Sequence, residues 1–163
     1  MERLIESGSR LFCILFIGLA SATLARADAG VTYHGRLLKP NGEPVTSSAV
    51  HFRVQIRTPI STNCLMYEET QVKDLSASNG TFSLVLNDGS AAVPNGEPFT
   101  LDRVFQNRGT FSFGVGKCSM GNSYEPGPFD GRVLAVSFND GDFGGWEPLP
   151  SQAISFVPTA LEA

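Results

Sequence analysis

Few side chains in this 163-residue sequence are of the kinds that make and break bonds, and their spacing argues against most chemistry. The two histidines, His34 and His51, each fall on the polar side of a stretch in which apolar and polar residues alternate, the pattern of solvent-facing strand positions. Glu68 and Glu69 are neighbours in sequence. In an extended strand they point to opposite faces and cannot act on one bond as an acid and base pair. Asn139, Asp140 and Asp142 surround Gly141 in "NDGDFGG", which hints at a calcium loop. The stretch lacks the ligand spacing and the distal bidentate acid of the known calcium-loop pattern, and a hairpin turn accounts for it. There is no Gly-x-Ser-x-Gly, no glycine-rich phosphate loop and no Cys/His cluster. The sequence offers no matched set of acids or nucleophile and base, so a non-enzymatic protein without metal or cofactor is expected.

Two further constellations carry physical meaning. Cys64 and Cys118 form an even pair in what reads as an exported chain, and are expected to make one disulfide. Trp146, the single tryptophan, together with Tyr124 and Phe143 is a candidate aromatic platform for a sugar ligand. The competing expectation is that such aromatics fill the core of a small β domain. Tyr124 lies in "SMGNSYEPGPFD", residues 119–130, the longest irregular stretch between strand candidates.

The expectation of export comes from residues 1–30. Arg3 and Arg10 mark a polar start, Leu11 to Leu24 form an apolar run, and Ala25-Arg26-Ala27 is a small-x-small triplet. That is the architecture of a signal peptide cleaved after Ala27. The run is shorter than the roughly 20 residues a spanning helix needs, and Cys13 within it lacks the small-residue context of a lipid-modified cysteine. No membrane insertion is therefore expected after cleavage.

Cleavage after Ala27 would leave 136 residues, which suits one domain. Residues 1–27 contain three arginines and two glutamates. Removing them from the 12 basic and 16 acidic side chains leaves 9 and 14, a net charge near −5. A nucleic-acid or anionic-membrane partner would require clustered Lys and Arg, which this balance does not provide.

The elements that must position these residues are strands. Six Asn-Gly or Asp-Gly pairs, beginning at Asn41, Asn79, Asp88, Asn95, Asp130 and Asp140, punctuate the chain as turn candidates. Between them, period-two alternation places Val50, Phe52, Val54 and Ile56 on one face. It does the same with Phe82, Leu84 and Leu86, with Phe111, Phe113 and Val115, and with Leu134, Val136 and Phe138. "VTYHGRLL", "CLMYEETQV" and "AISFV" complete about seven strands. Strands with one apolar face each must bury it against another sheet, so an all-β antiparallel sandwich is expected. "TLDRVFQN" breaks the alternation: Leu101, Val104 and Phe105 have helical spacing, with Thr100 available as N-cap. One short helix is expected there, closing an end of the sandwich.

An ordered set of motifs then resembles a known group. Tyr33-x-Gly35-x-Leu37, Gly42-x-Pro44, Tyr67-Glu68-Glu69, Gly80-x-Phe82-x-Leu84 and the closing Val157-Pro158-x-Ala160-x-x-Ala163 resemble the N-terminal domain of secreted, tail-fibre-like surface exoproteins of predatory and other Gram-negative bacteria. The resemblance covers nearly the whole chain after the signal segment. It implies a non-enzymatic head or attachment domain, residues 28–157, and an exit segment, residues 158–163, leading toward a trimeric shaft. It brings no catalytic residues. The implied partners are a fibre shaft or another cell-surface protein, and the implied location is secreted or on the cell surface. A stand-alone carbohydrate-binding module using Trp146 and residues 119–130 is the alternative.

Overall fold

The computed structural model describes residues 31–59, 61–88, 99–142 and 144–155. The expected signal peptide, Phe143 and the exit segment lie outside the described residues. Among the described residues no helix is long and apolar enough to cross a membrane.

The fold is all-β. In chain order the elements are β1 (Thr32–Arg36), β2 (Val50–Arg57), β3 (Leu65–Lys73), β4 (Thr81–Val85), α1 (Leu101–Val104), β5 (Phe111–Ser112), β6 (Ser123–Tyr124), β7 (Arg132–Asn139), β8 (Glu147–Pro148) and β9 (Gln152–Ile154). The main sheet is antiparallel with the order β3-β2-β7, and both β8 and β9 pair with the free side of β7. They act as one broken edge strand, bridged by the Leu149 N–H donating to the Val136 carbonyl at 2.8 Å. Pro148 and Pro150 sit along it, and prolines of this kind blunt an edge against further pairing. A second antiparallel sheet, β1-β4, and a short hairpin, β5-β6, cover the inner face of the first.

Alternation explains the layers. Val50, Phe52, Val54 and Ile56 are wholly buried. On the neighbouring strand Phe138, Val136 and Leu134 stand opposite the last three of them, so one continuous apolar stripe faces inward. The ring of Phe82 on β4 closes over it, 4.6 Å from that of Phe52 between centroids. Gly35 on β1 makes room for that ring: a Cβ there would lie 2.5 Å from Phe82 Cζ. All seven strand candidates carry a strand, and β6 and β8 are additional. The expected disulfide joins Cys64 to Cys118.

Four details depart from expectation. Val115 does not share the buried face of Phe111 and Phe113 but is fully exposed. The β5 strand ends before it, where Gly116 takes φ 79° and the Lys117 N–H donates to the Gly114 carbonyl in a turn. Thr100 precedes α1 in an extended conformation, yet its hydroxyl makes no capping bond, and the helix is a single turn held by its buried Leu101 and Val104. Asp130-Gly131 is not a positive-φ turn like those at Gly42, Gly80 and Gly141. Gly131 is needed for close approach, since a Cβ would meet the Ile154 carbonyl oxygen at 2.4 Å. Finally, the inward side of β3 is polar: Tyr67, Glu69 and Gln71 are all buried there.

Candidate interaction face

The residues with chemical potential divide into those engaged inside the fold and those left outside. Glu69 is fully buried. Its carboxylate accepts from the Tyr67 hydroxyl at 2.5 Å, from Gln71 Nε2 at 2.6 Å and from the Asn87 N–H at 3.0 Å. Gln71 Nε2 also donates to the Val85 carbonyl at 2.9 Å. This network ties β3 to the end of β4, so a carboxylate that alternation alone places inside becomes a clamp between the two sheets. Burial, followed by the hydrogen bond to Glu69, raises the pKa of the Tyr67 phenol well above its ordinary value.

Arg132 forms the second internal hub and is 1% exposed. Its guanidinium donates to the Val104 carbonyl at 2.7 Å, the Gln106 carbonyl at 3.0 Å, Asn107 Oδ1 at 2.9 Å and the Gly131 carbonyl at 2.9 Å. The first two carbonyls lie at and just past the end of α1. The side chain thus satisfies helix-end acceptors that would otherwise be orphaned. Burial lowers the pKa of the Arg132 guanidinium from the ordinary arginine value. Tyr124 packs beside it, 7% exposed, with its hydroxyl donating to Asp130 Oδ2 at 2.8 Å. Burial and the Asp130 hydrogen bond raise this phenol's pKa as well.

These placements correct the aromatic platform expected above. Tyr124 is a core residue, with its ring 6.1 Å from that of Phe111, and presents no open face to a ligand. Phe143 lies outside the described residues. Trp146 remains, 38% exposed, beside the outer face of the main sheet. His34 and His51 are exposed on separate strands, β1 and β2. Asn139 and Asp140 accept the backbone N–H groups of Gly141 and Asp142 at 2.9 and 3.0 Å, and Asp142 pairs with Lys39 Nζ at 3.1 Å. That is a turn with a surface ion pair. Among the described residues no group of three or more His, Cys, Asp or Glu could hold a metal ion.

The outer face of the main sheet is the surface left open. From β2 it receives His51, Arg53, Gln55 and Arg57, and opposite these on β7 stand Asn139, Ser137, Ala135 and Val133. The side chains on β7 are short, so the long ones of β2 can lie across them. Arg53 does so, its guanidinium carbon 4.7 Å from the centroid of the Trp146 ring. On the β3 side Gln55 Nε2 donates to Glu68, and Arg57 Nε donates to Asn63 Oδ1 at 3.1 Å. An apolar cavity of about 320 Å³, lined by Pro59, Gly131, Val133, Ala153 and Ile154, opens at the Arg57 end.

Arg53 and Trp146 could not be joined from the sequence. Arg53 is on β2 and Trp146 immediately precedes β8, far apart in the chain, and only the β2-β7-β8 pairing brings them together.

A family model described as a domain of unknown function (DUF8740) matches residues 32–148. The chain belongs to this family. The DUF8740 match runs from β1 to the end of β8, and so contains the disulfide, both buried polar networks, Arg53 and Trp146. Only β9 of the main sheet lies past the DUF8740 boundary. No curated protein and no solved structure matches the chain.

Proposed function

We propose that this chain is an exported, non-enzymatic interaction module, the head or attachment domain of a cell-surface fibre. The observation that carries the reading is how the fold uses its polar groups. The buried carboxylate, phenols and guanidinium with unusual environments are all held in hydrogen bonds inside the fold. Groups tuned for reaction would converge on a cleft instead. A β-rich scaffold closed by Cys64–Cys118 suits an oxidising exterior and presents a broad sheet face to a partner.

The signal-like residues 1–27 and the ordered motifs through Val157-Pro158 support export and a place at the base of a longer, trimeric assembly. The test is localisation of the full chain carrying an internal epitope in the solvent-exposed 40–43 turn. Surface or medium localisation, with Cys64 and Cys118 oxidised, is expected; a strictly cytoplasmic protein with both thiols free would overturn the reading. A second reading, a carbohydrate-binding module, is favoured by one observation: Trp146 stays partly open next to a guanidinium.

A further inference from the structure

We propose that the outer face of β2 and β7, centred on Arg53 and Trp146, binds an acidic polysaccharide through the carboxylates of its sugar residues. The proposal rests on the reading of the chain as an exported interaction module, and it replaces the three-residue aromatic platform with a different site.

Three observations support it. First, Arg53 Nε is shielded from solvent and has no hydrogen-bond partner. The residue as a whole is only half-buried, so the outer N–H groups of its guanidinium remain open to an acceptor, and a carboxylate is the acceptor whose planar geometry best matches the guanidinium fork. Second, the guanidinium lies over the Trp146 ring at 4.7 Å, so the ring holds the charge in place before a ligand arrives. Trp146 is still 38% exposed, and Gly144 and Gly145 before it have open space around them. The free part of the indole is a flat apolar surface of the kind on which a sugar ring stacks through its C–H groups. Third, Arg53 and Arg57 project from the same face of β2, roughly 13 Å apart along the strand. Two guanidinium groups in a row fit a polymer with repeated acids better than a single anion. Ser137, Thr70 and Asn139 on the flanking strands add short polar side chains for hydroxyl groups.

The face does not suit a peptide. Peptides recognised by β-sheets add to a strand edge, where backbone groups are unpaired, or enter a groove. Here β2 is an interior strand hydrogen-bonded on both sides. The site's own acid, Glu68, together with the chain's overall negative balance, works against long-range attraction of a polyanion. Binding must therefore depend on local contacts and weaken with salt.

The test uses the exported, disulfide-bonded chain with oligogalacturonate as probe, followed by titration calorimetry and by the tryptophan fluorescence of Trp146. Oligogalacturonate is expected to bind and to perturb the fluorescence, and Arg53→Gln and Trp146→Ala should each weaken it by about tenfold or more. Arg36→Gln removes a charge from the other sheet, where Arg36 Nε holds the Asn79 carbonyl, and should leave affinity unchanged. Neutral galacto-oligosaccharide should fail to bind. Both site variants alter the outer face, so melting temperatures near that of the parent are expected and confirm folding. The proposal is overturned by absence of binding at millimolar probe, by undiminished binding in Arg53→Gln, or by equal affinity for polyglutamate, which would make this an acidic-peptide face. None of these results bears on localisation, so the reading as an exported head domain stands or falls separately.

Discussion

Arg132 shows how much of this fold hangs on single polar residues. It joins the start of β7 to the end of α1 and the segment just after it through carbonyls up to 28 positions away. Arg132→Met keeps the length of the side chain but leaves the Val104 and Gln106 carbonyls without their donor. A loss of about 3–5 kcal/mol is expected, the usual scale for breaking a buried charged network. Arg132→Lys should recover little, because an ammonium cannot reach the same fork of acceptors. Urea unfolding monitored by fluorescence measures both. The two buried phenols set a pH limit. Burial and the acceptors Glu69 and Asp130 hold Tyr67 and Tyr124 protonated in the folded state, whereas the unfolded chain loses these protons near pH 10. Their pKa values are raised on folding, so the associated stability is intact below about pH 10 and declines as pH rises beyond it. Alkaline titration should show these tyrosinates appearing together with loss of the near-UV signal. The Tyr67→Phe/Tyr124→Phe double variant should show a weaker pH dependence in that range.

At the scale of elements, alternation made β2, β4 and β7 legible, because a two-residue period needs only neighbours in sequence. The same signal misled at Val115, where a glycine turn ends β5, and it gave no sign that the inward row of β3 is polar. Tyr67, Glu69 and Gln71 do stand at alternate positions, but reading them as core requires knowing that Glu69 accepts hydrogen bonds from both of the others. The packing of β1-β4 onto the main sheet gives a sharp test. Gly35→Ala places a methyl against the Phe82 ring and should cost about 1–3 kcal/mol through forced repacking. If the clash is the cause, Phe82→Leu in the same chain should be less harmful than in the parent. A double-mutant cycle measured by thermal unfolding checks this, and strict additivity would refute the proposed contact.

For the molecule as a whole, the disulfide anchors the β5-β6 connection to the start of β3. It is reinforced there by the Leu65 N–H donating to the Lys117 carbonyl at 2.7 Å and the Ser119 N–H donating to the Thr62 carbonyl at 3.2 Å. Cys64→Ala/Cys118→Ala should lower stability by up to about 4 kcal/mol, the chain-entropy ceiling for a loop of this size. The hydrogen bonds around the cysteines should preserve the fold, so the expected result is a lower denaturant midpoint with the far-UV spectrum retained. The sequence by itself determined the all-β class, seven of the strands, the one short helix and the cysteine pair, because turn chemistry, period and residue count act over short distances or need no geometry. Only the tertiary structure decided that Tyr124 turns inward to Asp130, that Arg132 serves the end of α1, and that Arg53 lies over Trp146. Each of these depends on which strands become neighbours, and that is settled by the joint burial of apolar faces across the whole chain.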